Sequence, residues 1–70
     1  MKVYKVQSHH PDLGWRTVSF AESYVKAYCE GWIDCMSALT PSPPMRLVSI
    51  DGDQTRVIRE TKGRGEIHTN

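Results

Sequence analysis

The sequence predicts an α+β fold in two layers, ββαββ: a four-stranded antiparallel sheet with one helix packed on one face. Three observations carry that prediction. Short alternating segments rich in β-branched residues come in pairs at both ends of the chain, each pair joined by turn residues. Between the pairs lies one stretch whose apolar residues recur at helical spacing. A proline run then separates that stretch from the second pair. A single helix lying on one antiparallel sheet lets both kinds of element bury their apolar sides.

Residues 2–8 alternate and are rich in Val and Tyr, which predicts a strand. His9-His10-Pro11-Asp12-Leu13-Gly14 is turn chemistry, and Trp15-Arg16-Thr17-Val18 reads as a second strand, so the short link predicts an antiparallel hairpin. Ser19-Phe20-Ala21-Glu22 fits a capping box, in which a hydroxyl and a carboxylate satisfy orphan N–H groups reciprocally. The helix it opens is predicted to run to about Leu39. Val25, Cys29, Trp32, Met36 and Leu39 follow spacings of four, three, four and three, one continuous stripe for the core. Thr40-Pro41-Ser42-Pro43-Pro44 stops the helix and predicts a short extended linker. Met45 to Ile50 is the third strand, Asp51-Gly52-Asp53 a hairpin turn, and Thr55 to Glu60 the fourth strand. Residues 1–60 are thus predicted to form one domain. Residues 61–70, with Ile67 their only apolar side chain, are predicted to form a flexible C-terminal tail. Strand order stays open at this level.

The chain has 70 residues, 39% of them hydrophobic and 24% charged, with a net charge of +1. This length holds one domain, and the composition excludes bulk disorder. A domain this small buries only about 60% of the surface its unfolded chain exposes. Its core supplies no more than about 3–5 kcal/mol unaided, so such chains lean on a metal, a disulfide or a partner. The cysteines Cys29 and Cys35 lie six residues apart on the predicted helix. That is a rise of about 9 Å, beyond the roughly 7 Å Cα limit of a disulfide. Two reduced, buried thiols are expected instead. No apolar run approaches the roughly 18 residues of a membrane span. The N-terminus alternates from Lys2 without the apolar core of a signal peptide. The expectation is a soluble, cytoplasmic protein.

Two features do not suit an isolated monomer. Ala27, Gly31, Asp34 and Ala38 form a second, mostly small stripe on the helix. A Gly inside a helix costs about 1 kcal/mol relative to Ala, which close approach of a neighbour would explain. The strands also carry apolar residues on both faces: Met45 and Leu47 on one side, Val48 and Ile50 on the other. One helix covers one face only, so the other needs cover. The expectation is a homo-oligomer or a surface that docks on a partner, with Ala27, Gly31 and Ala38 as a helix contact.

Signals for chemistry are few. His9-His10-Pro11-Asp12 is the most ligand-like cluster, but adjacent side chains at a strand end point to opposite faces. Cys29, Cys35 and His68 lie elsewhere, so no metal site is predicted. No nucleophile motif is present. Gly63-x-Gly65 does not lie between a strand and a helix, which excludes a phosphate-binding glycine loop. Neither enzyme activity nor a cofactor is expected. The candidate binding residues are Trp15, Arg46, Arg56, Arg59, Lys62 and Arg64, a stacking surface and a basic C-terminal run. Arg56 and Arg59 differ by an odd number and are expected on opposite sides of their strand.

These observations predict a non-catalytic protein-interaction module, an inhibitor or adaptor of a larger complex. By analogy of size alone, it suits the small accessory proteins of phages and mobile elements. Two alternatives stand beside it. One is a nucleic-acid-binding module that uses the basic hairpin and tail. The other is an oligomer that sequesters a small anion between subunits.

Overall fold

The computed structural model describes residues 1–39 and 41–63. The order of elements is β1 (Lys2–His10), β2 (Gly14–Ser23), α1 (Lys26–Ser37), β3 (Met45–Asp51) and β4 (Gln54–Thr61). The four strands form one antiparallel sheet in the order β2-β1-β3-β4. This is the ββαββ arrangement with a single helix, and α1 packs on β1, β2 and β3. Both hairpins form where turn residues were expected. Gly52-Asp53 makes the β3–β4 turn with Gly52 at φ +63°. Only a residue without a Cβ takes that position readily, and Gly at the first central position is the II′ hairpin pattern.

Residues 19–22 do not form a helix start. They continue β2, and the predicted capping box is absent: Val25 occupies the N-cap without a side-chain hydrogen bond. The reason is tertiary. Lys5 of β1 registers with Glu22 and Gln7 registers with Thr17, so the single residue Val6 faces the four residues 18–21. This bulge carries Ala21 into the core, fully buried, and leaves Phe20 half exposed. Glu22 is thereby held in the sheet, out of reach of a helix terminus. Ser23, not Ser19, accepts a hydrogen bond at the turn, from the Val25 N–H at 3.0 Å. The helix ends at Ser37, where the N–H groups of Ala38 and Leu39 bond back three residues to Cys35 and Met36 and tighten the last turn.

The core lies where α1 crosses the sheet centre. Val6, Ala21, Cys29, Ile33, Met45 and Leu47 are buried together, with Tyr4, Val18, Trp32 and Met36 packed at the edge. Val6 and Leu47 sit opposite each other in register. The predicted stripe is therefore rotated. Its end members Val25 and Leu39 are exposed, and Ile33, outside it, is fully buried. Cys29 is buried as expected, but Cys35 is exposed; both thiols are free. Val48 also departs from expectation. It lies on the face away from the helix yet is 1% exposed, flanked in register by Lys5 and Val57. Neighbouring side chains cover it without a second layer.

β4 carries a bulge of its own. Leu47 registers with Arg59, but the next residue, Val48, registers with Val57, so Ile58 is the extra residue. The odd spacing of Arg56 and Arg59 is thereby cancelled. Both lie on the helix side, opposite Ser49 and Leu47, instead of on opposite sides. β4 runs through Thr61, whose hydroxyl donates to the Met45 carbonyl. A Cβ on Gly63 would meet the Ser42 carbonyl oxygen at 3.0 Å, so this glycine lies close against the proline linker. Arg64, Ile67, His68 and the rest of the predicted tail from 64 onward lie outside the described residues.

The rotated core has a measurable consequence. Ile33→Ala removes a fully buried side chain and is expected to cost about 3 kcal/mol in urea denaturation. Leu39→Ala, at the exposed end of the predicted stripe, changes stability by less than about 0.5 kcal/mol. Equal losses at the two positions would contradict this core.

Candidate interaction surfaces

The predicted binding residues divide between two faces. Trp15 lies on the sheet face away from α1, opposite His9 in register. Its indole meets the His9 ring edge-on at 5.1 Å. The Arg46 guanidinium sits over it, 4.3 Å from the centroid. Arg46 in turn donates through Nε to the Gln7 side-chain oxygen at 2.7 Å. Trp15 and Arg46 are thus brought together, but chiefly to hold each other. Trp15, Pro44, Glu60, Thr61, Lys62 and Gly63 line an open groove of about 400 Å³. Its polar lining is the Glu60 carboxylate, the Thr61 hydroxyl and the Lys62 amine.

Arg56 and Arg59 occupy the other side. Arg59 forms an ion pair with Asp34 of the helix. Arg56 lines a small depression of about 180 Å³ with Lys2, Ser49, Asp51 and Gln54. The basic run therefore does not form one stripe. Three of its four described cations also sit near carboxylates: Arg46 registers with Glu60, Arg59 pairs with Asp34, and Arg56 shares its depression with Asp51. Among the described residues, the cations of this run are not clustered along one face as those of a nucleic-acid surface are.

A different surface gathers on the helix side. The largest fully buried side chains are Ile33, Leu47, Val6, Val48 and Cys29, so the core holds no aromatic ring. Tyr4 and Trp32 pack against its edge, and three further rings are exposed. Phe20, Tyr24 and Tyr28 are 50%, 67% and 46% exposed. Phe20 tilts against Trp32 at a centroid distance of 4.3 Å, and Tyr28 meets Trp32 edge-on at 6.4 Å. The Tyr28 hydroxyl donates to the Phe20 carbonyl at 3.0 Å and ties the helix to the β2 bulge. The four aromatics are spaced by four throughout, from Phe20 to Tyr24, Tyr28 and Trp32. Helical spacing explains only the neighbourhood of Tyr28 and Trp32; Phe20 lies on β2 and reaches Trp32 through the bulge, which the sequence pattern does not show.

The charges of α1 avoid this surface. Lys26, Glu30 and Asp34 recur every four residues on one flank. Lys26 pairs with Glu30 at 4.0 Å, and Asp34 pairs with Arg59. The solvent-facing strip between that flank and the aromatics is Ala27, Gly31, Cys35 and Ala38, all exposed and uncharged. Nothing lies within 4 Å of where a Gly31 Cβ would be. The predicted helix contact of Ala27, Gly31 and Ala38 thus faces solvent, beside a ring cluster the sequence reading did not include.

Among the described residues, no group of three or more His, Cys, Asp or Glu side chains could hold a metal ion, and no helix is long and apolar enough to cross a membrane. Burial pushes the Cys29 thiol above its ordinary value; Glu22 adds to the rise, and a backbone hydrogen bond from Ser23 opposes it. Cys29 Sγ lies 3.4 Å from the Tyr4 carbonyl oxygen and 3.7 Å from that of Ala21, so the protonated thiol has acceptors ready. This is a core donor, not a nucleophile. No family model matches the chain, and neither a curated protein nor a solved structure matches it.

The two thiols should separate chemically. In the native protein at submicromolar concentration and mildly alkaline pH, a disulfide reagent such as Ellman's is expected to modify Cys35 promptly. Cys29 should react only in denaturant, because its thiolate is disfavoured and its sulfur is covered. Two equivalents reacting at one rate in the folded protein would contradict the placement of both residues.

Proposed function

We propose that this protein is a non-catalytic protein-interaction module that works by docking the aromatic surface of Phe20, Tyr24, Tyr28 and Trp32. One observation carries the reading: Phe20, Tyr24 and Tyr28 are exposed on the helix side, with Phe20 and Tyr28 set against Trp32 at the edge of the core. Aromatic side chains contribute disproportionately to protein interfaces, since each offers a large apolar area at little entropic cost. Clustered exposure of this kind marks an interaction site more often than scattered apolar residues do. An inhibitor or adaptor of a larger complex acts by such contact and needs no reactive group. The distribution of cations over two faces, three of the four near a carboxylate, speaks against nucleic acid as the principal partner.

The test is affinity capture from the native host with three immobilised forms: wild type, Tyr24→Ser/Tyr28→Ser and Arg56→Ala/Lys62→Ala. Wild type and the basic-residue variant are expected to retain the same protein, resistant to rising salt. The tyrosine variant should lose it while keeping its circular dichroism spectrum. If the retained material is instead nucleic acid, released by salt and lost with Arg56 and Lys62, the interaction reading fails.

A further inference from the structure

We infer that the occupant of the aromatic face is a second copy of this chain, with the two α1 helices packed antiparallel about a twofold axis at Gly31. This rests on the reading of that face as a docking surface and names its partner.

The first argument is area. The exposed fractions of Phe20, Tyr24 and Tyr28 leave on the order of 300–400 Å² of aromatic surface uncovered. A stable interface takes about 800 Å² from each partner. The rings supply nearly half of that, and the contiguous strip Ala27, Gly31, Cys35 and Ala38 extends the face along the helix.

Charge is the second argument. A patch of one sign repels its own copy. Here Lys26 and Asp34 are satisfied within the chain, on the flank away from the rings, and the strip itself is uncharged. Asp34, which borders the strip, brings its own counter-ion in Arg59.

Shape is the third. A twofold contact brings residue i against j and j against i. The face of α1 is graded along its length. Its N-terminal half carries Tyr28, with Tyr24 and Phe20 beside it, and its C-terminal half carries the small residues Cys35 and Ala38. Turned antiparallel about Gly31, the bulky half of each helix lies over the small half of the other. Tyr28 then stands over the partner copy's Cys35, and the two Gly31 backbones approach at the axis. Helices with small contact residues reach the short end of the usual 8–10 Å separation. Antiparallel pairing also sets opposite ends of the two helix dipoles side by side. A parallel pairing would set bulky against bulky and leave a gap at the other end.

The geometry gives a specific cross-link. Ala27 and Cys35 are eight residues apart, about 12 Å along one helix, so no disulfide can join them within a chain. Across the proposed axis, position 27 of one copy lies beside Cys35 of the other, within the roughly 7 Å Cα limit. Ala27→Cys is expected to yield a disulfide-linked dimer on mild oxidation. Ala27→Cys/Cys35→Ser should yield none. Wild type should sediment at twice the chain mass at tens of micromolar. Gly31→Lys, tolerated by the fold because its side chain meets open space, should sediment as a folded monomer.

A wild-type monomer at that concentration overturns the proposal, as does cross-linking of Ala27→Cys that persists without Cys35. If wild type is monomeric but Tyr24→Ser/Tyr28→Ser still loses a captured protein, only the second copy is refuted and the docking face stands. If that variant loses nothing, both readings fall.

Discussion

The bulge of β2 opposite Val6 is the constraint on which the rest of this structure depends. A regular hairpin would pair one residue with Val6; here four residues face it. The surplus turns the strand toward the helix layer, so that Ala21 fills the core and its carbonyl lies near the Cys29 thiol. It delays the start of α1 to Lys26 and fixes which side of the helix meets the sheet. It also places Phe20 outside, against Trp32. A bulge at a sheet edge has a second effect, since it spoils the flat row of free backbone groups that would recruit another strand. β4, the opposite edge, carries its own bulge at Ile58. Both edges thus carry an irregularity that disfavours open-ended strand addition.

The small core follows from the same geometry. α1 buries only Cys29 and Ile33 completely. With so little buried on one side, the opposite sides of both layers must reach their stability through local contacts. On the outer sheet face that contact is a cross-strand lattice: His9, Trp15, Arg46 and Gln7 hold one another, and Val48 is covered by its flanking strands. On the helix side the contact is incomplete. Phe20 and Tyr28 meet Trp32 but keep about half their surface in water, and Tyr24 keeps more. The outer face keeps some apolar surface in water too, at Val57 opposite Val48, but it carries no comparable group of rings.

Much of the fold was legible because it rests on local signals. Alternation, the Asp51-Gly52-Asp53 turn and the proline run each act within a few residues, and they mark the strands, one hairpin and the end of the helix. The helix start was not legible. Ser19-Phe20-Ala21-Glu22 satisfies the local chemistry of a cap, but those residues gain more from pairing with β1 and from burying Ala21. The side of β4 on which Arg59 lies was equally hidden. Strict alternation separates it from Arg56, and one extra residue at Ile58 reunites them. Of the candidate binding residues, Trp15 and Arg46 do meet, while the basic run is split between faces and its member at 64 lies outside the described residues.

Composition and short-range pattern carry the class of object: a small chain with four strands and one helix in ββαββ order. These properties depend on composition and short-range periodicity, which no tertiary contact can alter. Tertiary structure alone decided strand order, the two bulges and the rotation of α1 about its axis, and hence which apolar residues face inward. Those depend on contacts between residues distant in the chain, chiefly Val6 with the β2 bulge and Leu47 with Arg59. A rotation that buries Ile33 in place of Val25 and Leu39 leaves the hydrophobic count unchanged, yet it determines where the uncovered aromatic surface lies.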